Sequence, residues 1–286
     1  MNYFNYSVGT GNKCLTRLVF SFFSFFMLSA LLVSTSYSPV LHAQELTIDS
    51  AINKAGRQRM LTQRILKSYL LIGQDVDADS AQRQLDQSIA LFEQQLDELD
   101  EFTTNRAVRK SLERVNGQWQ AFRQRVIEKP DTKNALSIIN EGDELLVSCE
   151  KVVKNLDKMG NSSKGNVINV SGRQRMLSQR IGMLYAAHSW GVDNRDISEN
   201  LEIAIKEYDD ALLFLQAAPI NTKKIATSLV KVASKWEFSR SGFSQMDNER
   251  YVPFIIQVTT ESMLKKMNKI TSLYEGLDTK EIVANR

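Results

Sequence analysis

Cysteine, histidine and proline are scarce in this chain, and each scarcity argues against a class of fold or function. The 286 residues include two cysteines, two histidines and four prolines. Cys14 lies in an N-terminal apolar segment, so Cys149 has no intramolecular partner and no disulfide framework is expected. We interpret Cys149, within the helical pattern ELLVSCEKVV, as a buried and inert thiol.

The sequence also lacks the patterns that carry catalysis or metal binding. His188 is the single histidine after residue 43, and a lone histidine near a helix end is usually structural. No His/Cys/Asp cluster has the spacing of metal ligands, and neither a Gly-rich phosphate loop nor a G-x-S-x-G elbow occurs. We therefore predict a protein that is not an enzyme and that uses no metal and no cofactor.

An apolar run, LVFSFFSFFMLSALLV, covers residues 18–33 and follows Lys13 and Arg17. Because it is shorter than the roughly 20 residues of a spanning helix, we predict a signal peptide over 1–43, cleaved before Gln44. Export to the periplasm follows; the alternative is an uncleaved N-terminal anchor in the inner membrane, facing the periplasm. Cleavage removes two positive charges and no negative one from a net charge of +3. The small remainder argues against nucleic-acid binding.

A nonapeptide occurs twice, as GRQRMLTQR at 56–64 and as GRQRMLSQR at 172–180. Ile52–Tyr69 and Ile168–Tyr185 are identical at 12 of 18 positions, at an offset of 116. Downstream apolar positions match at offsets of 116 and 117, including Trp119 with Trp236. The chain after residue 43 therefore consists of two tandem copies of one sequence unit.

Apolar periodicity and turn-forming segments predict four helices in each unit. The predicted helices are 48–73, 78–102, 105–128, 132–158, 164–191, 196–217, 222–244 and 254–278. Short connections between long amphipathic helices favour antiparallel neighbours, so we predict an all-α fold of two tandem antiparallel four-helix bundles. The predicted domains are the signal peptide 1–43, a first bundle at 44–160 and a second at 161–286.

The motif helix carries a polar stripe in addition to its apolar one. Glycine inside a helix costs about 1 kcal/mol relative to alanine, so its presence in both copies suggests a close helix approach. Arginine presents a planar, charged fork that suits small oxyanions and carboxylates. We predict a ligand site on this stripe and expect its arginines to be accessible, so that their truncation changes stability little. The predicted ligand-binding residues are Gly56, Arg59, Gln63, Gly172, Arg175 and Gln179.

The two segments INKAGRQRMLTQR and INVSGRQRMLSQR resemble the N-terminal sensing domain of the type IV pilus methyl-accepting chemotaxis transducer PilJ. They are also similar to the P-box of the nitrate/nitrite sensor kinases NarX and NarQ, I-N-x-A-G-S-L-R-M-Q-S-Y-R. In the nitrate sensors the arginine before the methionine contacts nitrate at a dimer interface. The resemblance therefore implies roles for Arg59 with Gly56, and for Arg175 with Gly172. Arg57-Gln58 and Leu61-Thr62-Gln63 depart from the nitrate-sensor pattern and follow PilJ.

Together these features predict an exported sensor module that recognises a small anion, nitrate-like or carboxylate, and reports to a membrane-bound receptor or kinase. No second spanning run, HAMP segment, kinase or methyl-accepting coiled coil is recognisable, so we expect no transmitter in this sequence. The alternative is a structural or protein-interaction bundle whose motif helices form a ligand-free association seam. A ligand site needs convergent arginines without local acids, whereas a seam ties them to carboxylates or backbone carbonyls. Homodimerisation is left open.

The turn MGNSSKGN at 159–166 allows the fifth helix to restart beside the first. We therefore expect the two motif helices to lie parallel and in contact, as an intramolecular pseudo-dimer. The rival geometry stacks the bundles end to end through a fused fourth and fifth helix. The glycines and serines of this turn disfavour such a continuous helix.

Overall fold

The computed structural model describes residues 46–192, 195–243 and 253–277. The predicted signal peptide and its cleavage point lie outside these residues. Eight helices form the secondary structure of the described ranges: α1 Ile48–Gly73, α2 Ala78–Phe102, α3 Arg106–Val126, α4 Thr132–Gly160, α5 Ser163–Ser189, α6 Arg195–Ala217, α7 Lys223–Phe243 and α8 Pro253–Glu275. The all-α prediction is confirmed, and the helix limits agree to within about three residues.

Side-chain caps fix several of the helix starts. Thr47 accepts a hydrogen bond from the Ser50 amide at 3.2 Å and begins α1. Asn105 accepts from the Val108 amide at 3.2 Å and begins α3. Each cap satisfies an amide that the helix itself leaves without a partner, which is why short polar residues occupy these positions.

Each repeat forms its own antiparallel bundle. Helix α1 packs on α2 and α4, and α3 packs on both of its chain neighbours. Helices α5 to α8 repeat the same pattern of contacts. The matched aromatic pairs of the repeats are also in contact in equivalent places: between ring centroids, Phe92 lies 4.0 Å from Trp119, and Tyr208 lies 4.2 Å from Trp236. The tandem four-helix bundles are thereby confirmed.

The two repeats pack on each other through their motif helices. Among the described residues, α1 and α5 share the most extensive contact of any helix pair. They run parallel and in register, since Gly56 faces Gly172 and Gln74 donates to the Ala186 carbonyl at 2.9 Å. This is the side-by-side pseudo-dimer expected from the sequence.

A tight turn between α4 and α5 makes the parallel arrangement possible. Asn161 ends α4 with a left-handed backbone, φ 39°, and donates to the Asp157 carbonyl at 2.8 Å. Ser162 then caps α5 by accepting from the Gly165 amide at 2.9 Å. The described residues belong to one compact unit. The domain limit at residues 160 and 161 stays a prediction.

The core contains the apolar stripe predicted for both motif helices. Leu61, Ile65, Leu177 and Ile181 are fully buried. Cys149 is buried as well, and burial raises the pKa of its thiol to about 12, which confirms a buried thiol that holds its proton at neutral pH. Within the described ranges, no helix combines the length and apolarity needed to cross a bilayer.

Candidate functional site

The closest approach of the two repeats lies at the two motif glycines. A Cβ atom placed on Gly56 would lie 3.9 Å from the Cα atom of Gly172, and the converse distance is 3.8 Å. The Nη2 atoms of Arg59 and Arg175 lie 3.3 and 3.5 Å from that Cβ position on Gly56. The glycines therefore leave room for two guanidinium groups, one from each repeat, between the helices.

Backbone carbonyls of the opposite repeat hold these guanidinium groups in a two-fold pattern. Arg59 Nη2 donates to the carbonyl of Asn169 at 3.2 Å and to its Oδ1 at 3.0 Å. Arg175 Nη2 donates to the carbonyl of Asn53 at 3.2 Å. Asn53 and Asn169 occupy equivalent positions in the repeats, so the pseudo-symmetry extends to the partners.

The charges of the two arginines are balanced unequally. Arg59 Nη1 forms a 2.5 Å ion pair with Glu150 of α4. Arg175 Nη1 instead donates to the neutral amide oxygen of Asn268 at 3.3 Å. Asn268 thus takes the place that Glu150 has in the first repeat, 118 residues earlier, so the second repeat cannot reproduce this ion pair.

Burial of both arginines corrects the expectation that they are accessible. The exposed fractions are 1% for Arg59 and 0% for Arg175. The polar stripe is covered because the other repeat packs against it, which the apolar pattern of one helix does not reveal. Their truncation is therefore expected to cost more than a surface substitution, since it leaves buried partners without a hydrogen bond.

The site carries excess positive charge in a buried environment. Burial, followed by the charges of Arg57 and Arg59, lowers the pKa of the Arg175 guanidinium well below its usual value, against the opposing charge of Glu275. Because arginine keeps its proton in proteins, this lowered pKa expresses a free-energy cost of holding the charge there. The Nε atoms of Arg59 and Arg175 are also buried without a hydrogen-bond partner in the described structure.

The two predicted glutamines lie one turn further along, in a separate polar layer. Gln63 accepts from Arg180 Nη1 at 3.2 Å, and Gln179 accepts from Lys67 Nζ at 2.7 Å. Both glutamines are fully buried. The structure therefore brings the two predicted glycines and the two predicted arginines together. It places the two predicted glutamines in separate contacts between the repeats.

The last arginine of each nonapeptide joins the repeats. Arg64 forms a 2.8 Å ion pair with Glu261 of α8, and Arg180 forms a 2.5 Å ion pair with Asp143 of α4. Each arginine thus reaches the fourth helix of the other repeat. Lys67, which is fully buried, adds a second ion pair to Glu261 at 2.6 Å.

The first glutamine of the motif has a role inside its own repeat. Gln58 donates to the Phe92 carbonyl at 3.0 Å, and Gln174 donates to the Tyr208 carbonyl at 2.6 Å. These equivalent bonds tie each motif helix to the second helix of its bundle. The polar residues that the two motifs share therefore form equivalent contacts within and between the repeats.

Sequence reasoning missed several residues of the site. Asn53 and Asn169 did carry a signal, because the Ile-Asn pair is identical in both repeats. Glu150 carried none, because its counterpart Asn268 is neutral. Glu261 corresponds to Asp143, but at an offset of 118 rather than the 117 read from the sequence, so this acidic pair was not recognised. Among the described side chains, no group of His, Cys, Asp or Glu residues is placed to hold a metal ion.

Geometrically, the site is a pair of buried guanidinium groups that face each other across two glycines. Such a pair can bind one small anion through charge-assisted hydrogen bonds, or it can serve as a polar joint between the repeats. The convergence of the two guanidinium groups favours anion binding. The Glu150 carboxylate and the two backbone carbonyls that contact these groups fit a polar joint between the repeats.

Comparison with known proteins places the chain in a family. The model of the PilJ family, described as type IV pili methyl-accepting chemotaxis transducer N-term, matches residues 41–141 and 160–252. The two matched segments each begin just before a motif helix and extend over the first three helices of a repeat. No curated protein and no solved structure matches the chain. Since the matched segments cover more than half of the sequence and carry the duplicated motif, the chain belongs to the PilJ family of type IV pili methyl-accepting chemotaxis transducer N-terminal domains.

Proposed function

We propose that this protein is an exported sensor module that binds a small anion between Arg59 and Arg175 and is not an enzyme. One observation carries the proposal: Arg175 is fully buried beside a second arginine and contacts only neutral acceptors among the described residues. A monovalent oxyanion or a small carboxylate is the complementary ligand, because it supplies the missing negative charge. The similarity to nitrate-sensor P-boxes supports nitrate, nitrite and small carboxylates as the first ligands to test.

The signal is proposed to pass through the packing of α1 on α5. An anion between the glycines attracts both guanidinium groups, and Glu150 then competes with it for Arg59. Because α1 and α5 meet closely at this point, a small change there alters how the two bundles pack. A membrane-bound receptor or kinase is the proposed recipient, and the periplasm is the proposed compartment.

The test compares the thermal unfolding midpoint of the protein, without residues 1–43, in nitrate, nitrite, formate, acetate and chloride at one ionic strength. A ligand at 100 times its Kd adds about 2.7 kcal/mol to the free energy of unfolding, which raises Tm by several degrees. We expect Arg175→Gln to lose this rise. Arg180→Gln removes a motif arginine that is already paired with Asp143, so this variant should keep the rise in Tm.

A ligand-free seam is the second candidate, and the Arg59–Glu150 ion pair is the observation that favours it. In that case no anion raises Tm above its value in chloride. An increase that survives in Arg175→Gln would also contradict a site between the two arginines.

A further inference from the structure

A second cationic concavity lies on the outside of the molecule, where α3, α4 and α5 meet. Its volume is about 810 Å³, which falls within the usual range of small-molecule sites. We call it the α3–α5 groove. Its lining includes Lys110 and Arg114 of α3, Val147, Lys151 and Lys154 of α4, and Arg173 of α5.

Most of the positive charge in the groove has no local counter-charge. Lys110, Arg114 and Lys151 form no ion pair among the described residues, and all three are exposed. The groove contains one carboxylate, Glu150, whose Oε2 is already engaged with Arg59. Like charges that converge without a counter-ion raise the potential in a concave site and attract anions.

The internal repeat provides a control for this charge cluster. On α3 and α7, at the offset of 117, Lys110 corresponds to Thr227 and Arg114 to Lys231. On α4 and α8 the equivalent buried positions are 118 residues apart, so Lys154 corresponds to Ser272 and Lys151 to Lys269. Since the second repeat forms the same four-helix bundle without counterparts of Lys110 and Lys154, the fold itself does not require the full cluster.

Apolar side chains form the rest of the groove. Val147 is 70% exposed, and Leu146 and Met176 lie beside it in the lining. An exposed valine among cations is suited to a ligand that combines an apolar body with a negative group. An inorganic anion would leave this apolar surface uncovered.

We propose that the α3–α5 groove is a binding site for an amphipathic organic carboxylate. The carboxylate contacts Lys151 and Arg114, and the apolar body covers Val147 and its neighbours. The site is separate from the paired arginines between the repeats, because Glu150 lies between it and Arg59 and because Arg175 does not line it.

The experiment uses 4-phenylbutyrate as the probe and its neutral amide, 4-phenylbutanamide, as the matched compound, with isothermal titration calorimetry on the intact protein. We expect saturable 1:1 binding of the carboxylate and at least about tenfold weaker binding of the amide, because a charge-assisted contact is lost. Lys151→Gln and Arg114→Gln should each weaken binding about tenfold. Val147→Glu, which places a carboxylate among the cations, should abolish it.

Matched controls separate the groove from general charge effects. Lys231→Gln removes the counterpart of Arg114, and Val258→Glu changes an exposed valine of α8; both should bind the probe as the unchanged protein does. Arg175→Gln should also keep binding, so failure of the anion site between the repeats leaves this result intact.

Three results would overturn the proposal: no binding of the carboxylate, equal binding of the amide, or equal binding by Val147→Glu. A poly-glutamate peptide that binds and is blocked by Val147→Glu, when 4-phenylbutyrate does not bind, would assign the groove to an acidic protein segment instead.

Discussion

The two motif glycines determine how much space the guanidinium groups have. Arg175 Nη2 lies 3.2 Å from the position of a Cβ on Gly172, and Arg59 Nη2 lies 3.4 Å from it. An alanine methyl group would already be tighter than ordinary van der Waals contact. A larger side chain must displace the arginines from the carbonyls that hold them, so the glycines belong to the site as much as the arginines do.

Substitution of Gly56 by leucine should therefore destabilise the protein, although leucine is the better helix former. Overpacking of a closely packed contact costs about 1–3 kcal/mol. Gly117 is the matched control, because no atom lies within 4 Å of its Cβ position in the middle of α3. Gly117→Leu should stabilise by up to about 1 kcal/mol through helix propensity. Urea unfolding of both variants measures the difference, and equal free energies would contradict a close approach at Gly56.

At this scale the sequence predicted the identity of the central residues but not their environment. Gly56, Arg59, Gly172 and Arg175 were predicted because their polar or costly identities recur in both repeats. Their full burial was not predicted: the contact between the two motif helices was expected, but the sequence does not show how completely that contact encloses the arginines. The Glu150 partner was not predictable from the repeat, since its counterpart is the neutral Asn268.

Among the elements, α1 and α5 differ from the other helices because both of their faces are buried. One face packs into its own bundle through leucine, isoleucine and tyrosine. The other face is polar and packs against its copy, with arginine, lysine and glutamine buried there. Such a helix has a weak apolar contrast around its circumference, so its apolar stripe alone does not show that the polar face is buried as well.

The ion pairs of Glu261 at this interface should make stability depend on pH. Burial raises the pKa of the Glu261 carboxyl, but the charges of Lys67 and Arg64 and their hydrogen bonds outweigh it, so the pKa lies below its usual value. The stabilising contribution is therefore complete above the unfolded pKa of about 4.3 and is lost as pH falls through the lower folded pKa.

Glu261→Gln tests this contribution. At pH 7 the variant should lose about 3–5 kcal/mol, because Lys67 stays buried without its carboxylate. The difference from the unchanged protein should shrink as pH falls below the unfolded pKa of about 4.3, and it is lost once the native carboxyl is protonated as well. Glu141→Gln removes the partner of Arg125 in a pair that is about one-third exposed, and should cost about 1 kcal/mol or less. A difference for Glu261→Gln that is constant with pH would contradict the ion-pair origin.

Helix limits were the most predictable feature of the elements. The breaks fall at local turn and cap residues, such as Asn105 and Asn161, whose effect on the backbone needs no tertiary information. The ion pairs between repeats were not predictable in the same way. Arg64 and Glu261 are nearly 200 residues apart and meet only because α1 and α5 lie parallel.

The whole molecule is a pseudo-dimer with unequal halves. Both repeats supply the glycine, the arginine and the asparagine carbonyl of the central site. Among the described residues, only the first repeat supplies a carboxylate to its own arginine, and Lys110 and Lys154 of the α3–α5 groove have no basic counterpart in the second repeat. Covalent fusion of two copies allows such divergence, because each half need only complement the other and not itself.

This asymmetry predicts how the separated repeats behave. A fragment of residues 46–160 exposes the polar face of α1, and a second copy can cover it with the geometry that α5 now has. Each Arg59 then keeps Glu150, and each Asp143 receives Arg64 of the partner copy in place of Arg180. We therefore expect this fragment to fold as a two-fold homodimer, detected by sedimentation equilibrium together with helical circular dichroism.

The second repeat, residues 163–277, should dimerise more weakly, because two Arg175 side chains would be buried together with a neutral amide at position 268 in place of a carboxylate. A buried charge without a partner costs several kcal/mol, which is enough to shift a dimer to monomers or to unfolded chains. Asn268→Glu gives this fragment the acid that the first repeat has as Glu150, and should tighten its dimer. A helical monomer of the first repeat, or equal dimerisation of both fragments, would show that the arginine–carboxylate balance does not control association, because in either case the fragment carrying Glu150 gains nothing from it.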